Sequence, residues 1–294
     1  MKKTILSTAD VARLFNVTET TVKRWADGGT LKCQKTPGGH RKYEVKNVVE
    51  FAEKNNFDPV GTLAMPGDDA YGPALQVAVL ERAFPALVRI YVEKALTSGR
   101  ADLYNLFSFL YEHKIHLWEL CDLIIRPGMI EIGERWVRGE LGVNHEHRAS
   151  YETLDALSKL HSNILRKPSN GRTALFGCLG EETHEIGLRC AFYLFESEGW
   201  ITHYLGARMP LTAMVSAVRE VRPHVVCISA TGNDNSDTLR ALLKETNAVV
   251  CEVGGKLLVG GRGASPEFVQ MNLCSALFSS AEDVHHFLTR GEKW

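Results

Sequence analysis

The sequence from residue 171 to residue 294 alternates short apolar runs with helical patterns, and this alternation restricts the possible folds more than any other feature of the chain. Five runs are predicted as β-strands: TALFGCL, WITHYLG, HVVCISAT, GKLLVGG and CSALFS. Strands that are interleaved with helices pair in parallel, because each return to the sheet needs a crossover. The region therefore predicts a Rossmann-like α/β domain with a doubly wound parallel sheet.

Three short motifs lie at or just after the carboxyl ends of predicted strands, at the edge of the sheet where domains of this class bind ligands. Glu-x-His-x-x-Gly occupies residues 182–187, Ser-Ala-Thr occupies residues 229–231, and Gly-Gly occupies residues 260–261. Forty-one residues separate the first motif from the second, and twenty-eight separate the second from the third. We expect the three motifs to line one ligand site.

The motifs and their intervals resemble the cobalamin-binding signature of the methionine synthase and mutase families. In that signature Asp-x-His-x-x-Gly precedes Ser-x-Leu or Ser-x-Thr and then Gly-Gly; here Glu182 replaces the commoner Asp, and Thr231 stands where Leu is often found. The resemblance implies that His184 is the lower ligand of a corrinoid cobalt. A carboxylate on the other ring nitrogen would fix the tautomer and raise the basicity of the ligand, and Glu182 is placed for that role.

The same resemblance implies roles for the rest of the three motifs. Gly187 would let a helix begin close to the nucleotide tail of the cofactor, and Ser229 and Thr231 would bond the displaced benzimidazole. Gly260 and Gly261 would form a wall without side chains. The alternative is that the motif histidine only begins a helix and binds no ligand.

The first 56 residues form a basic head on an otherwise acidic chain. They contain eleven Lys and Arg against six Asp and Glu, a net charge of +5, whereas the whole chain carries -1. A head of this charge favours a polyanionic partner, although a merely solvated basic face gives the same count.

Within the head, STADVARLFNVTETTVKRWADGGTL predicts two short helices joined by a tight turn. Ser7 or Thr8 can cap the first helix, Asn16 and Val17 form the turn, and Thr18 can cap the second helix. This pattern is typical of a helix-turn-helix, whose second helix enters the major groove of DNA.

The next stretch, LKCQKTPGGHRKYE, predicts a basic hairpin that would form a wing beside the helices. The combination resembles the winged helix-turn-helix domain of the MerR family, with GGHRKY as the best-marked match, and this implies dimers on near-palindromic double-stranded DNA. The predicted DNA contacts are Thr21, Lys23, Arg24, His40, Arg41, Lys42 and Tyr43, of which Tyr43 could instead pack in the core. The long coiled coil common in that family is missing, and residues 57–73 predict a flexible linker after the DNA-binding domain of residues 1–56.

Residues 74–167 predict an all-α bundle of three to five helices, because apolar residues recur at three- and four-residue spacings. One helix is expected to bend or restart at Pro127. Trp136 is followed after nine residues by Glu146 and His147, at the expected start of a helix. These could be an ordinary core tryptophan and surface polar residues. A zinc site is disfavoured, because His-Glu-His lacks the His-Glu-x-x-His spacing and no cysteine is adjacent.

A MerR-type head, a helical bundle and a cobalamin domain over residues 171–294 together resemble the CarH and CarA family of light-responsive repressors, whose bundle carries Trp-x9-Glu-His. The resemblance implies that Trp136, Val143, Glu146 and His147 lie beside the upper axial group of adenosylcobalamin, with His147 as the upper cobalt ligand after photolysis. It also implies a non-enzymatic transcriptional repressor. A dark homotetramer would bind operator DNA, and light would cleave the cobalt–carbon bond and release monomers that bind DNA too weakly to repress.

Two other functions stay open at this point. A corrinoid methyl-carrier protein would use the same cofactor motif, although it needs no basic head, and a regulator could sense cobalamin or another chromophore without photolysis.

No uncharged apolar run reaches the roughly 18 to 20 residues of a membrane helix, and the apolar stretch near the first residue is too short for a signal peptide. We therefore expect a cytoplasmic protein without a membrane partner. Its seven scattered cysteines are expected to be reduced core residues.

Overall fold

The computed structural model describes residues 5–55, 73–97, 100–231 and 237–290. The chain divides into two compact units, of which the first ends at Ile115 and the second begins at His116. The division into four segments at residues 1–56, 57–73, 74–167 and 171–294 stays a prediction. The predicted flexible linker, residues 57–73, lies outside the described residues except for Pro73.

The first unit begins with the predicted helix-turn-helix and its wing. Its elements are β1 (Ile5–Ser7), α1 (Thr8–Leu14), α2 (Glu19–Asp27), β2 (Gln34–Lys35), β3 (Arg41–Glu44) and α3 (Val45–Lys54). The three strands form an antiparallel sheet in the order β1-β3-β2. Ser7 caps α1 in a capping box with Asp10, Thr18 caps α2, and Asn16 takes a φ of 51° in the turn between them. Fold and caps agree with the sequence prediction.

An aromatic cluster holds the helices of this head together. The Trp25 ring lies 4.8 Å from that of Phe51 and 5.9 Å from that of Phe15, between ring centroids. Edge-on and tilted ring pairs at such distances add to the stabilisation from buried area. The described residues of the first unit contain three further helices: α4 (Pro73–Leu80), α5 (Phe84–Thr97) and α6 (Arg100–Glu112). Val77 of α4 is fully buried in the same core as the helix-turn-helix.

The second unit opens with a long helical run that changes type along its length. It consists of α7 (Leu117–Glu119), a π-helical segment (Leu120–Ile125) and α8 (Arg126–Val137), and α9 (Val143–Ser162) follows. Pro127 lies in the first turn of α8, directly after the π-helical segment, and it has no N–H to bond a carbonyl of the preceding turn. The restart expected there corresponds to the change from π- to α-helix. Helix α9 packs against α8 on one side and against the helix α10 of the following domain on another.

The rest of the second unit is the predicted parallel sheet with its helices. The elements are β4 (Thr173–Leu179), α10 (Ile186–Ser197), β5 (Ile201–Met209), α11 (Leu211–Val221), β6 (Val225–Ser229), α12 (Asp237–Glu252), β7 (Lys256–Gly260), α13 (Glu267–Gln270), β8 (Ala276–Phe278) and α14 (Ala281–Arg290). All neighbouring strands are parallel, in the order β5-β4-β6-β7-β8. The strand order reverses at β4, so the crevice at the carboxyl ends of β4 and β6 is where a Rossmann-like sheet binds its ligand.

Asp122 of the π-helical segment joins the long helical run to the sheet domain. Its Oδ1 accepts the backbone N–H of Ala281 at 3.0 Å, and its Oδ2 accepts that of Glu282 at 2.8 Å. Asp122 thus acts as the cap of α14 from a distant part of the chain. Beside it, Arg126 donates to the carbonyl oxygen of Ser279 at 2.8 Å. The start of α8, the helix that carries Trp136, and the segment before it are therefore hydrogen-bonded to the sheet domain.

The cysteine prediction holds for most positions. All seven cysteines are free; five are buried, Cys33 is half-buried and Cys251 is exposed. Among the described residues, no helix has the length and apolar character needed to cross a membrane.

Candidate functional site

His184 lies in the loop between β4 and α10, and Glu182 fixes its ring. Oε1 of Glu182 lies 2.6 Å from Nδ1 of His184 and accepts the backbone N–H of the same histidine at 2.8 Å. A carboxylate at this distance makes Nδ1 the protonated nitrogen, which leaves a lone pair on Nε2. The His184 side chain is 66% exposed, whereas that of Glu182 is 11% exposed. The loop therefore presents an oriented imidazole to the space outside the strand ends.

The second oxygen of Glu182 binds the next motif along the sheet. Oε2 accepts the backbone N–H of Thr231 at 2.6 Å, so the carboxylate joins the end of β6 to the histidine loop. Ser229 strengthens this junction, because its hydroxyl donates to the carbonyl oxygen of His184 at 3.2 Å and lies 3.3 Å from the Thr231 hydroxyl. The structure thus brings the first two motifs into one hydrogen-bonded group.

The motif glycines differ in what their surroundings require. A Cβ on Gly261, where φ is +103°, would lie 2.3 Å from the carbonyl oxygen of Ala230, so only glycine fits there. A Cβ on Gly260 would lie 3.1 Å from the carbonyl oxygen of Phe278. At Gly187, in contrast, a Cβ would meet no atom of the described protein within 4 Å. The space beside the start of α10 is therefore open.

A second group of predicted residues lies where α8 ends and α9 begins. Trp136 is 46% exposed and Val143 is 49% exposed, both high values for large apolar side chains. The Glu146 carboxylate accepts the Ser150 hydroxyl at 2.9 Å, one helical turn further on. His147 is 75% exposed, and its Nε2 lies 3.5 Å from Oε2 of Glu146. This end of the helix pair therefore combines an apolar surface with an oriented carboxylate and an accessible imidazole.

The predicted DNA contacts of the head divide into exposed and enclosed side chains. Lys23, Arg24, His40 and Lys42 are exposed on α2 and the wing, as a phosphate-binding surface requires. Thr21 is half-buried, and its hydroxyl lies 3.1 Å from that of Thr18. The Arg41 side chain is only 18% exposed and is bonded to Asp27.

Three family models match the chain. Residues 5–56 match a model described as a helix-turn-helix domain. Residues 172–284 and residues 87–158 match two models that are both described as a B12 binding domain. A DNA-binding domain and two B12-binding regions thus lie on one chain.

One relative is similar enough over nearly its full length to show the family of this chain. The HTH-type transcriptional repressor CarH of Myxococcus xanthus is 30% identical over 285 residues, which cover 92% of this chain and 94% of that repressor. The chain belongs to the CarH family of transcriptional repressors. As a CarH-type protein it is a DNA-binding repressor that binds cobalamin.

Two further comparisons support the architecture of this CarH-type repressor. The HTH-type transcriptional repressor CarA of Myxococcus xanthus is 29% identical over 144 residues, 49% of this chain and 47% of that protein. The solved structure of the Methanosarcina barkeri monomethylamine corrinoid protein superposes with a TM-score of 0.57 at 14% identity, covering 71% of this chain and 98% of the other. At this identity the likeness shows a shared fold over the part of the chain that superposes.

One predicted DNA contact of the CarH-type head is corrected by the structure. Tyr43 is 0% exposed and belongs to the hydrophobic core around α1 and α2. Its ring lies on the inner face of β3, whose side chains alternate between core and solvent. Of the two roles considered from the sequence, packing is therefore the correct one, and a phosphate contact is not.

Sequence reasoning missed the residues that anchor the loop after His184. The Tyr204 hydroxyl donates to Oε2 of Glu185 at 2.8 Å, and the Arg189 guanidinium carbon lies 3.6 Å from the centroid of the Tyr204 ring. Burial, together with the bond to Glu185, raises the pKa of Tyr204, so its hydroxyl stays a donor. The only signal was a glutamate next to the motif histidine, since Tyr204 comes from the neighbouring strand β5.

Proposed function

We propose that this CarH-type repressor responds to light through adenosylcobalamin, which acts both as chromophore and as the ligand that drives assembly. Adenosylcobalamin, when bound, supplies a cobalt–carbon bond that visible light cleaves. In the dark the loaded chains form homotetramers that bind double-stranded operator DNA; after illumination they separate into monomers. A DNA-binding regulator needs no catalytic residue, and the non-enzymatic role and the cytoplasmic location stay predictions.

The observation that carries this proposal is the pairing of Glu182 with His184. With Nδ1 bonded at 2.6 Å to a carboxylate, Nε2 is left as the ligand atom, and the exposed ring is free to meet a large planar cofactor. We assign His184 as the lower cobalt ligand. The open space at Gly187 supports a role in admitting the nucleotide tail, since packing of the protein does not require glycine there.

The other motif residues would bind the displaced benzimidazole and its tail. The hydroxyls of Ser229 and Thr231 lie at the crevice between β4 and β6; that of Thr231 would donate to the base or its linker, and that of Ser229, which donates to the His184 carbonyl, would accept a hydrogen bond there. Gly260 and Gly261 would let the cofactor approach the backbone at the ends of β7 and the following loop.

The exposed group at the end of α8 is proposed to meet the upper side of the cofactor. Trp136 and Val143 would pack against the adenosyl group, which would cover their exposed apolar surface. Glu146 is held in place by Ser150 and would orient His147. We propose His147 as the upper cobalt ligand once the adenosyl group has left, because its accessible imidazole needs no rearrangement of a core.

Light would change repression through linkage between cofactor state and assembly. A ligand shifts an equilibrium between two arrangements only by its difference in affinity for them, and here the adenosyl group would provide that difference. Each tetramer joins several DNA-binding heads, so that the second head binds at a high effective concentration. Separate heads lack this gain and release the operator.

The test compares the purified full-length protein, loaded with adenosylcobalamin in the dark, before and after illumination. Absorption spectra, sedimentation velocity and the affinity for operator DNA are measured on the same sample. We expect tetramers and tight DNA binding in the dark, then a changed spectrum, monomers and weak DNA binding after light. His184→Ala is the control and should load poorly.

Two results would contradict the proposal in different ways. Equal assembly and DNA affinity before and after photolysis would point to a regulator that senses cobalamin rather than light. Transfer of a methyl group from bound methylcobalamin to an acceptor, without any change in DNA binding, would point to a methyl carrier.

A further inference from the structure

Asp27, the last residue of the helix α2, forms ion pairs with both strands of the wing. Its carboxylate accepts two hydrogen bonds from Nη2 of Arg41, at 2.6 Å to Oδ1 and 2.8 Å to Oδ2. Nζ of Lys35 lies 3.8 Å from the same Oδ1. Arg41 begins β3 and Lys35 ends β2, so one carboxylate on the helix that is predicted to enter the major groove contacts the two sides of the hairpin.

The wing needs such a counterion because of its own register. Lys35 and Arg41 are direct partners across the hairpin, and like charges in that position repel each other. Among the described residues these two strands share one further register pair, Gln34 with Lys42, and the turn adds the bond from the Thr36 N–H to the His40 carbonyl, so this short hairpin has little pairing of its own to offset the repulsion. Asp27 lies between the two cations and turns a repulsive pair into an attractive group of three charges.

The Arg41 side chain is the least exposed member of this group of three charges. It is 18% exposed, although that of Asp27 is 54% exposed. The carboxylate holds the guanidinium through Nη2, which donates to both oxygens, and the planar head on its longer side chain differs in reach and donor direction from a lysine ammonium. The hydrogen bond from Arg41 lowers the pKa of the Asp27 carboxyl, so the pair is ionised at neutral pH.

We propose that Asp27 is a positioning residue for DNA binding, which fixes the wing against α2 so that both meet one operator together. A carboxylate among the cations of a DNA-binding surface weakens the attraction for phosphate. If Asp27 acted only through its charge, its removal would therefore strengthen DNA binding. Positioning predicts the opposite for the operator, and this difference in sign makes the proposal testable.

Glu19→Ala is the matched control for Asp27→Ala. Glu19 is an acidic residue of the same helix, is 52% exposed, and pairs along the helix with Lys23 at 3.4 Å. Both substitutions raise the charge of the head by one unit, but only Asp27→Ala releases the wing. The full chain is used for every variant, in the same cofactor state throughout.

The probes are a duplex that the unaltered protein selects from random-sequence DNA and a scrambled duplex of equal length and composition. Affinity for both is measured over a range of salt concentrations. We expect Glu19→Ala to bind both duplexes somewhat more tightly. Asp27→Ala should show the same gain on the scrambled duplex and a loss of about tenfold on the selected duplex, the size of one specific contact.

Two further variants keep the result interpretable. Asp27→Glu retains the carboxylate and should restore most of the operator affinity. Arg41→Lys keeps the charge of the head but loses the planar geometry, and should lower the ratio of the two affinities; adding Asp27→Ala to it should then cause little further loss, because the two residues act as a pair. Thermal unfolding checks that each variant is folded.

The proposal is overturned if Asp27→Ala binds the selected duplex as tightly as Glu19→Ala does. It is also overturned if Asp27→Glu fails to restore the ratio of affinities while remaining folded. Neither outcome depends on light or on assembly, since both duplexes are compared in one cofactor state.

Discussion

Replacement of Glu182 by Gln should weaken cobalamin binding without changing the shape of the side chain. The carboxylate accepts three hydrogen bonds, from the Nδ1–H and the backbone N–H of His184 and from the backbone N–H of Thr231. An amide has only one oxygen. If that oxygen faces His184, the NH2 group faces the Thr231 N–H at 2.6 Å, and two donors oppose each other.

The size of the effect follows from these contacts. A buried donor without a partner costs about 1 to 3 kcal/mol, and loss of a carboxylate behind a ligating histidine typically costs 10- to 100-fold in metal affinity. We therefore expect Glu182→Gln to raise the dissociation constant for cobalamin by about 10- to 100-fold. Glu182→Asp should lie closer to the unaltered protein, because it keeps the charge and both acceptors.

Glu181→Gln provides the matched control. Glu181 precedes Glu182 in the same loop, is 85% exposed and pairs with Arg208 instead of His184. The assay is a titration with adenosylcobalamin in the dark, followed by the absorption change that accompanies displacement of the benzimidazole. If Glu182→Gln binds within about twofold of Glu181→Gln, about 0.4 kcal/mol, the carboxylate does not prepare His184 and the assignment is wrong.

Three further predictions concern the second unit. His147→Ala should assemble in the dark when it is loaded with adenosylcobalamin, but after illumination it should lack a bis-imidazole cobalt spectrum and lose its cofactor faster. If the spectrum after illumination and the retention of the cofactor equal those of the unaltered protein, His147 is not the upper ligand. Asp122→Ala removes the cap that α14 receives from the π-helical segment and should lower the free energy of unfolding by about 1 to 2 kcal/mol in urea, with Asp122→Asn less affected. Burial of His161 lowers its pKa below the ordinary value of 6.5 and outweighs the attraction of Glu196, 2.9 Å away. The unfolded chain therefore binds a proton at a higher pH than the folded protein does, and the free energy of unfolding decreases as the pH falls from 6.5 through the pKa of the folded state. Urea unfolding between pH 8 and 5 should therefore show a shallower loss of stability for His161→Gln, and equal slopes would contradict this account.

The sequence by itself was sufficient for most of the long elements and for the local part of the site, although β1, the π-helical segment and α13 were not predicted. Helix periodicity, caps and turn residues act over a few positions, which is why the helix-turn-helix, its wing and the five parallel strands could be predicted with their order of succession. The contact between Glu182 and His184 is equally local, since a single residue separates them in one loop. Motif spacing then indicated that distant strand ends share one crevice, because parallel strands end at the same edge of a sheet.

Tertiary packing alone decided which distant residues form hydrogen bonds and ion pairs with these local elements, and which side chains are buried. The backbone of Thr231 holds the second oxygen of Glu182 across 49 positions, and Tyr43 turned inward because one face of β3 covers the core. Asp27 meets Arg41 for a similar reason, since the end of α2 and the start of β3 adjoin only after the head has folded. No periodic pattern encodes such pairs, because each depends on the angle and distance between whole elements, which are fixed by the shape of the packed core.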